Sequence, residues 1–240
     1  MILAEYLKMM GFGDGGWGPA MARAALVTFA TAGCGFLLGA VFGTLVAWAK
    51  LSGVALWEKA ADFYTTLLRG VPELLVIYLL YFGGTALLRD RVQQLDTSGF
   101  VVTPVFLVGA LAIGLVSGAY QCEVYRGAFQ AIPRGQIDAA HAAGMSRALR
   151  FRRIVLPQVL IYGIPSLGNI WQLALKESAL ISVIGLVELL RQAAIGAGST
   201  FKPFYFYITA AGLFLVISLV SNAAFQLAEF RTRRYFRRPD

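Results

Sequence analysis

The amino-acid sequence predicts an all-α protein, a polytopic bundle of about five membrane-spanning helices forming one domain over residues 1–240. Two observations predict it. Hydrophobic residues make up 58 % of the chain and charged residues only 14 %, far from the balance of soluble domains. The mean hydropathy of +0.67 is spread over several separate apolar blocks, so one anchor on a soluble domain does not account for it.

Four blocks, Ala24 to Ala49, Val101 to Cys122, Ile154 to Leu175 and Pro203 to Ala228, contain no Asp, Glu, Lys or Arg. Each suffices to cross a bilayer core, which takes about 20 helical residues at about 1.5 Å rise apiece. The predicted spans are 20–49, 58–88, 101–125, 154–176 and 203–229. The second is long enough but carries Asp62, Arg69 and Glu73, with Pro72 between the last two.

Eleven of the 21 basic residues lie in two regions, Arg126 to Arg153 and Arg231 to Arg238, each beside an apolar block. Basic flanks of this kind mark cytoplasmic loops, so the net charge of +8 is read as membrane orientation and not as nucleic-acid binding. Lys50, Lys59 and both Arg clusters fall on one side. Lys8, Arg89, Arg91, Arg191 and Lys202, mixed with Asp90, Asp96 and Glu188, fall on the other. The expected orientation places the amino terminus outside and the carboxyl terminus in the cytoplasm. Met1 to Pro19 lacks the basic, apolar and small-residue order of a cleavable signal peptide.

Several chemistries find no support. Cys34 and Cys122 both sit in apolar stretches and are read as core-packing residues, without disulfide or metal spacing. His141 is the only histidine, so no histidine-based triad or zinc site can be assembled. The phosphate-cradling pattern G-x-x-x-x-G-K-[ST] is absent, so no nucleotide hydrolysis is assigned to this chain.

The segment between the third and fourth blocks is the most informative. Asp138-Ala139-Ala140 is followed by Gly144 and, after nine intervening residues, by Ile154-Val155-Leu156-Pro157. Residues 130–157 are read as a loop bearing a short amphipathic helix, in which Ala139, Ala140, Ala143 and Gly144 form a low-relief patch for a partner. Pro133 precedes that helix and Pro157 begins the next span, where a missing backbone donor does little harm.

This pattern resembles the EAA loop of permease subunits of ATP-binding-cassette (ABC) importers, departing only in Asp138 where the family usually has Glu. Further stretches are similar to the polar amino-acid branch: Arg69-Gly70-Val71-Pro72, Tyr125 to Phe129, Ala131 to Gln136, Leu175 to Leu180 and Glu188-Leu189. Together they resemble most the first permease subunit of histidine, lysine-arginine-ornithine and opine uptake systems. The resemblance implies type I ABC importer permease architecture in a bacterial inner membrane. It implies a sister permease subunit or second copy, two ATPase subunits holding ATP and Mg, and a periplasmic substrate-binding protein, with no cofactor in this chain. ATPase coupling is expected at Pro133, Arg134, Asp138, Ala139, Ala140, Gly144, Ile154, Leu156 and Pro157.

Charges at membrane depth cost at least about 2.5–3.5 kcal/mol each, so they face a partner or a water-filled path. Arg69 and Glu73, four apart, pair on one face if the helix continues. If Pro72 and Gly70 break it, Arg69 holds a substrate carboxylate and Glu73 a guanidinium or ammonium. Tyr120 and Glu123 close the third span, and Glu123 either supplies a second carboxylate or pairs with Arg126. Trp171, with Gln172, either receives a flat guanidinium or is an interfacial anchor, and Lys176 and Glu177 follow. The expected function is uptake of a basic amino acid or opine. The alternatives are another polar amino acid such as glutamine, a stand-alone channel, or a membrane enzyme.

Overall fold

The computed structural model describes residues 2–13, 15–92 and 104–236, with side chains over 5–13, 15–84 and 105–232. Asp96 and positions 101–103 of the third predicted span lie outside the described residues, as do the side chains of Arg89, Asp90, Arg91, Arg233 and Arg234 and all of 237–240. The helices are α1 (Ile2–Met9), α2 (Gly18–Lys50), α3 (Ala55–Gly70), α4 (Glu73–Val92), α5 (Pro104–Gln130), α6 (Arg134–Ala142), α7 (Arg147–Arg150), α8 (Leu156–Glu177), α9 (Leu189–Thr200) and α10 (Pro203–Phe236). Four helical stretches are long and apolar enough to cross a membrane, and the α3–α4 pair makes a fifth if read as one bent span.

The pairing of α2 with α5 is the most extensive in the fold. Its cause is a row of small residues. Gly35, Gly39 and Gly43 recur every fourth position and share one buried face of α2. A Cβ on Gly43 would come within 3.0 Å of the Gly118 carbonyl oxygen, so only glycine lets the two backbones approach this closely. Lipid gives no hydrophobic drive for helix pairing, and close contact between small residues supplies the packing instead. The polar groups on this seam find partners. Gln121, fully buried, donates to the Phe36 carbonyl at 3.0 Å and Ser117 Oγ at 2.8 Å, and accepts from the Tyr125 hydroxyl at 2.7 Å.

Around that pair, Ile77, Phe106, Ile113, Ala174, Ile181 and Ile184 join α4, α5, α8 and the 3-10 turn Ser178–Ile184 in one core. A second core at the other end of α2 packs Met21, Leu189, Ala193 and Phe206 together. There Glu188 caps α9 by accepting from the backbone N–H groups of Leu190 at 2.9 Å and Arg191 at 2.8 Å, and from the Thr28 hydroxyl of α2 at 3.3 Å. Burial pushes the Glu188 carboxyl up to about 7, with those donors opposing the rise. The same end holds α1, through Tyr6 to Thr209 at 2.8 Å and an ion pair of Glu5 with Lys202. Cys122 is buried as expected, whereas Cys34 is exposed and does not pack in the core, because it lies off the α2 seam.

The second predicted span is not one helix. Residues before proline are driven to extended backbone, and Val71 adopts φ −95°, ψ 137°. The chain turns there, and α4 leaves α3 at 107°. Arg69 and Glu73 therefore do not share a helix face, and the helix is broken at Pro72.

The fourth span departs from its expected start at 154. Helical structure resumes at Arg147, where Ser146 Oγ accepts from the Leu149 N–H at 3.3 Å. It passes through a π-helical turn over Phe151–Val155 into α8. The reason is Pro157, whose ring would strike the carbonyl four residues back in an α-helical register. In the π register the Leu156 N–H reaches the Phe151 carbonyl, five residues back, and the helix runs on without a break.

Candidate functional site

The break between α3 and α4 places Arg69 and Glu73 beside α5 and the end of α8. Tyr64 holds α3 against α5 by donating to the Leu115 carbonyl at 2.6 Å. The Arg69 guanidinium then lies 5.4 Å from the centre of the Tyr120 ring, in cation–π range. Tyr120 stands about 24 Å along α5 from Pro104 and about 15 Å from Gln130 at the usual rise, well inside the helix. Its hydroxyl is within electrostatic reach of Glu73, Glu177 and Arg69 together. Glu177 is 3 % exposed, lies against Glu73, and has Oε1 without a hydrogen-bond partner. Neither carboxyl makes an ion pair among the described residues. A close pair of acidic side chains at a buried position is satisfied either by a proton shared between them or by a cation that meets both.

Of the remaining predicted site residues, Glu123 goes elsewhere. Its Oε2 accepts from Arg126 Nε at 3.0 Å and Nη2 at 2.8 Å, and its Oε1 meets Lys50 Nζ at 2.6 Å. Lys50 also reaches Asp62 Oδ1 and Thr65 Oγ1, each at 2.8 Å. Sequence reasoning used Lys50 only for orientation and Asp62 only as an interruption. The available signal was that Lys50 ends a long charge-free stretch, where a cation seeks an acidic partner. Trp171 is 6 % exposed and packs edge-to-face against Phe29 and Phe36, in the core and apart from the acidic pair. Gln172 spends its amide on the Ser218 carbonyl at 3.2 Å. Lys176 is exposed on α8, pointing away from its neighbour Glu177.

The expected docking segment forms α6, with Pro133 at its start. The Ala143 N–H closes the helix on the Ala139 carbonyl at 2.9 Å, and Gly144 turns left-handed at φ +73° so that the Met145 N–H returns to Ala140 at 3.1 Å. Ala139, Ala143 and Gly144 are exposed, as are Arg134, Asp138 and Leu156. Ala140 is 5 % exposed and faces inward, so it does not belong to the exposed patch as expected. One residue on from Ala139 is about 100° around the helix. Gln136 accepts from Gln158 Nε2 at 2.7 Å, tying α6 to the start of α8 where Ile154 and Pro157 lie half-buried.

Residues 19–234 match the profile of the family described as binding-protein-dependent transport system inner membrane component. The chain belongs to this family. It is a multi-pass inner-membrane permease of the ABC type. It is 55 % identical to the octopine transport system permease protein OccQ of Rhizobium radiobacter, over 98 % of this chain and 99 % of that one. It is 49 % identical to the nopaline transport system permease protein NocQ of Agrobacterium fabrum, covering 93 % and 95 %. Against the histidine/lysine/arginine/ornithine transport system permease protein HisQ of Escherichia coli, the identity is 36 %, covering 92 % and 95 %. Among solved structures, one of an amino acid ABC transporter with histidines superposes with a TM-score of 0.75 at 31 % identity, covering 90 % of this chain and 95 % of that one. An inward-facing MetNI methionine ABC transporter shares the fold at a TM-score of 0.59 and 19 % identity.

Proposed function

We propose that this permease carries a basic amino acid or an opine inward, with Arg69, Glu73, Tyr120 and Glu177 as its substrate site. The observation that carries this reading is the Glu73–Glu177 pair, which makes no ion pair among the described residues yet stands beside an arginine stacked on Tyr120. Basic amino acids and opines combine a carboxylate with a nitrogen-rich end, and that is the complement of this arrangement. The relatives named for octopine, nopaline and histidine/lysine/arginine/ornithine transport support the same class.

The chain works with a sister permease or a second copy, two ATPase subunits holding ATP and Mg, and a periplasmic binding protein. α6 is the handle on which an ATPase pulls, through its exposed face at Ala139, Ala143 and Gly144 with Arg134 and Asp138 beside it. The α6 end of the bundle faces the cytoplasm, as its clustered arginines favour. Co-purification of the chain with the products of neighbouring genes, followed by competition uptake against a panel of amino acids and opines, tests the reading. Arginine, lysine, histidine and opines are expected to compete. Stronger competition by glutamine than by any cationic compound overturns the substrate class.

A further inference from the structure

The α6 end of the bundle holds a second set of charges, one that the Glu73–Glu177 site does not use. Lys50 is the last residue of α2, its side chain is only 8 % exposed, and its three ammonium protons are met by Glu123, Asp62 and Thr65. It is a fixed anchor joining α2, α3 and α5. Around it, other capacity stays open. The Asp62 side chain is 66 % exposed, that of Arg126 is 37 % exposed, and Arg69 makes no ion pair among the described residues.

These five charged residues, with Thr66 and Tyr120, wall a cleft of about 570 Å³. That volume lies within the range of small-molecule sites, about 300–1,000 Å³. Its walls alternate in sign. Arg69 and Arg126 offer guanidinium protons to a carboxylate, while Asp62 and the outer lone pairs of Glu123 accept from an ammonium. Arg69 and Tyr120 are shared with the Glu73–Glu177 site. On its far side, Glu123 also borders a hollow of about 410 Å³ whose other walls are uncharged and include Gly127, Ala128 and Ala131, where α5 runs out toward α6. The cleft therefore lies between the buried acidic pair and an otherwise uncharged hollow.

We propose that this cleft is a second amino-acid station, an exit site that holds the α-carboxylate and α-ammonium of the cargo after its nitrogen-rich end has left Glu73 and Glu177. Every charge in it except Arg69 is already engaged, so an incoming zwitterion competes with existing pairs and is held weakly, as release requires. Amino acid present on the α6 side rebinds there. The station rests on the proposed substrate class.

The test places a reporter thiol in the cleft of the assembled complex, as Thr66→Cys in a Cys34→Ser background. A membrane-impermeant maleimide is applied from the α6 side with and without L-arginine, and arginine uptake is measured in parallel. Arginine is expected to slow labelling several-fold. That protection is expected to fall in Glu123→Gln and in the exposed Asp62→Asn, and to persist in Glu73→Gln. No labelling of the introduced thiol from that side, or a rate unmoved by arginine in a complex that transports arginine, overturns the station. A complex that carries only a neutral amino acid overturns the substrate class instead, and the same labelling with that amino acid then decides the station separately.

Discussion

Gly39 of α2 lies so close to Ser117 of α5 that a Cβ built on it would stand 2.9 Å from the Ser117 hydroxyl oxygen. The same atom would be 3.0 Å from the Gly118 backbone nitrogen, which cannot step aside. Gly39→Leu is therefore expected to force α2 and α5 apart, at a cost of about 1–3 kcal/mol or more. The measurement is the midpoint of thermal unfolding in detergent. Gly33→Leu, whose Cβ meets nothing within 4 Å, is expected to leave that midpoint in place.

At α6 the choice of substitution decides what is learned. Gly144 has open space around it but sits at φ +73°, so a bulky residue there strains the turn whether or not an ATPase docks. Ala143→Trp changes the exposed face without that strain. It is expected to lower transport per ATP hydrolysed by about tenfold, a coupling loss of about 1.4 kcal/mol, while the chain inserts normally. Gly144→Asn, a residue that tolerates left-handed backbone, is expected to stay near wild type. Unchanged coupling in Ala143→Trp counts against α6 as the handle.

Most of the span pattern was legible because lipid leaves few options. Backbone groups must be satisfied within a helix, and charge-free runs then mark the helices directly. The break at Pro72 was legible as an alternative, since proline acts on the residue before it, but the 107° turn follows from packing and not from spacing. The repeat of Gly35, Gly39 and Gly43 went unused in the sequence analysis, and it signals a close helix neighbour without saying that the neighbour is α5. The Lys50–Glu123 pair was not legible, since 73 positions separate its members and nothing local couples them. The Glu73–Glu177 pair was hidden for the same reason. Trp171 shows the converse, since its residue type suits both a binding site and a core, and only its neighbours Phe29 and Phe36 decide.

Glu188 gives the fold a pH dependence outside the spans. Its carboxyl rises from the ordinary carboxylate value of 4.5 to about 7 in the folded chain, because burial outweighs the donors around it. A raised value means the folded state holds the proton more tightly. The resulting stabilisation is complete below the ordinary range and is lost as pH rises through 7. The wild-type unfolding midpoint is expected to fall between pH 5 and pH 8, about the same window in which Glu188→Gln, having no proton to release, stays flatter. An equal slope in both removes Glu188 as the source.

The acidic pair makes a prediction in which function and stability move oppositely. With no cation bound, Glu73 lies against the buried Glu177, and the Glu177 Oε1 has no donor. Replacing Glu73 with Gln removes one of the two acids and supplies an amide N–H to the other, so the substrate-free complex is expected to unfold at a higher temperature. The same change takes away a charge-assisted contact of about 1.5–3 kcal/mol, so the half-saturating concentration of a cationic substrate is expected to rise about ten- to hundredfold, with uptake of a neutral amino acid much less affected. Glu177→Gln is expected to do the same, because either acid alone still meets the cation with half the charge. Thermal melting and uptake measured on one preparation decide between roles. A structural pair would lose stability and transport together, and for all substrates alike. A binding pair gains the first and loses the second selectively, because the substitution that eases the empty site also weakens its hold on the cargo.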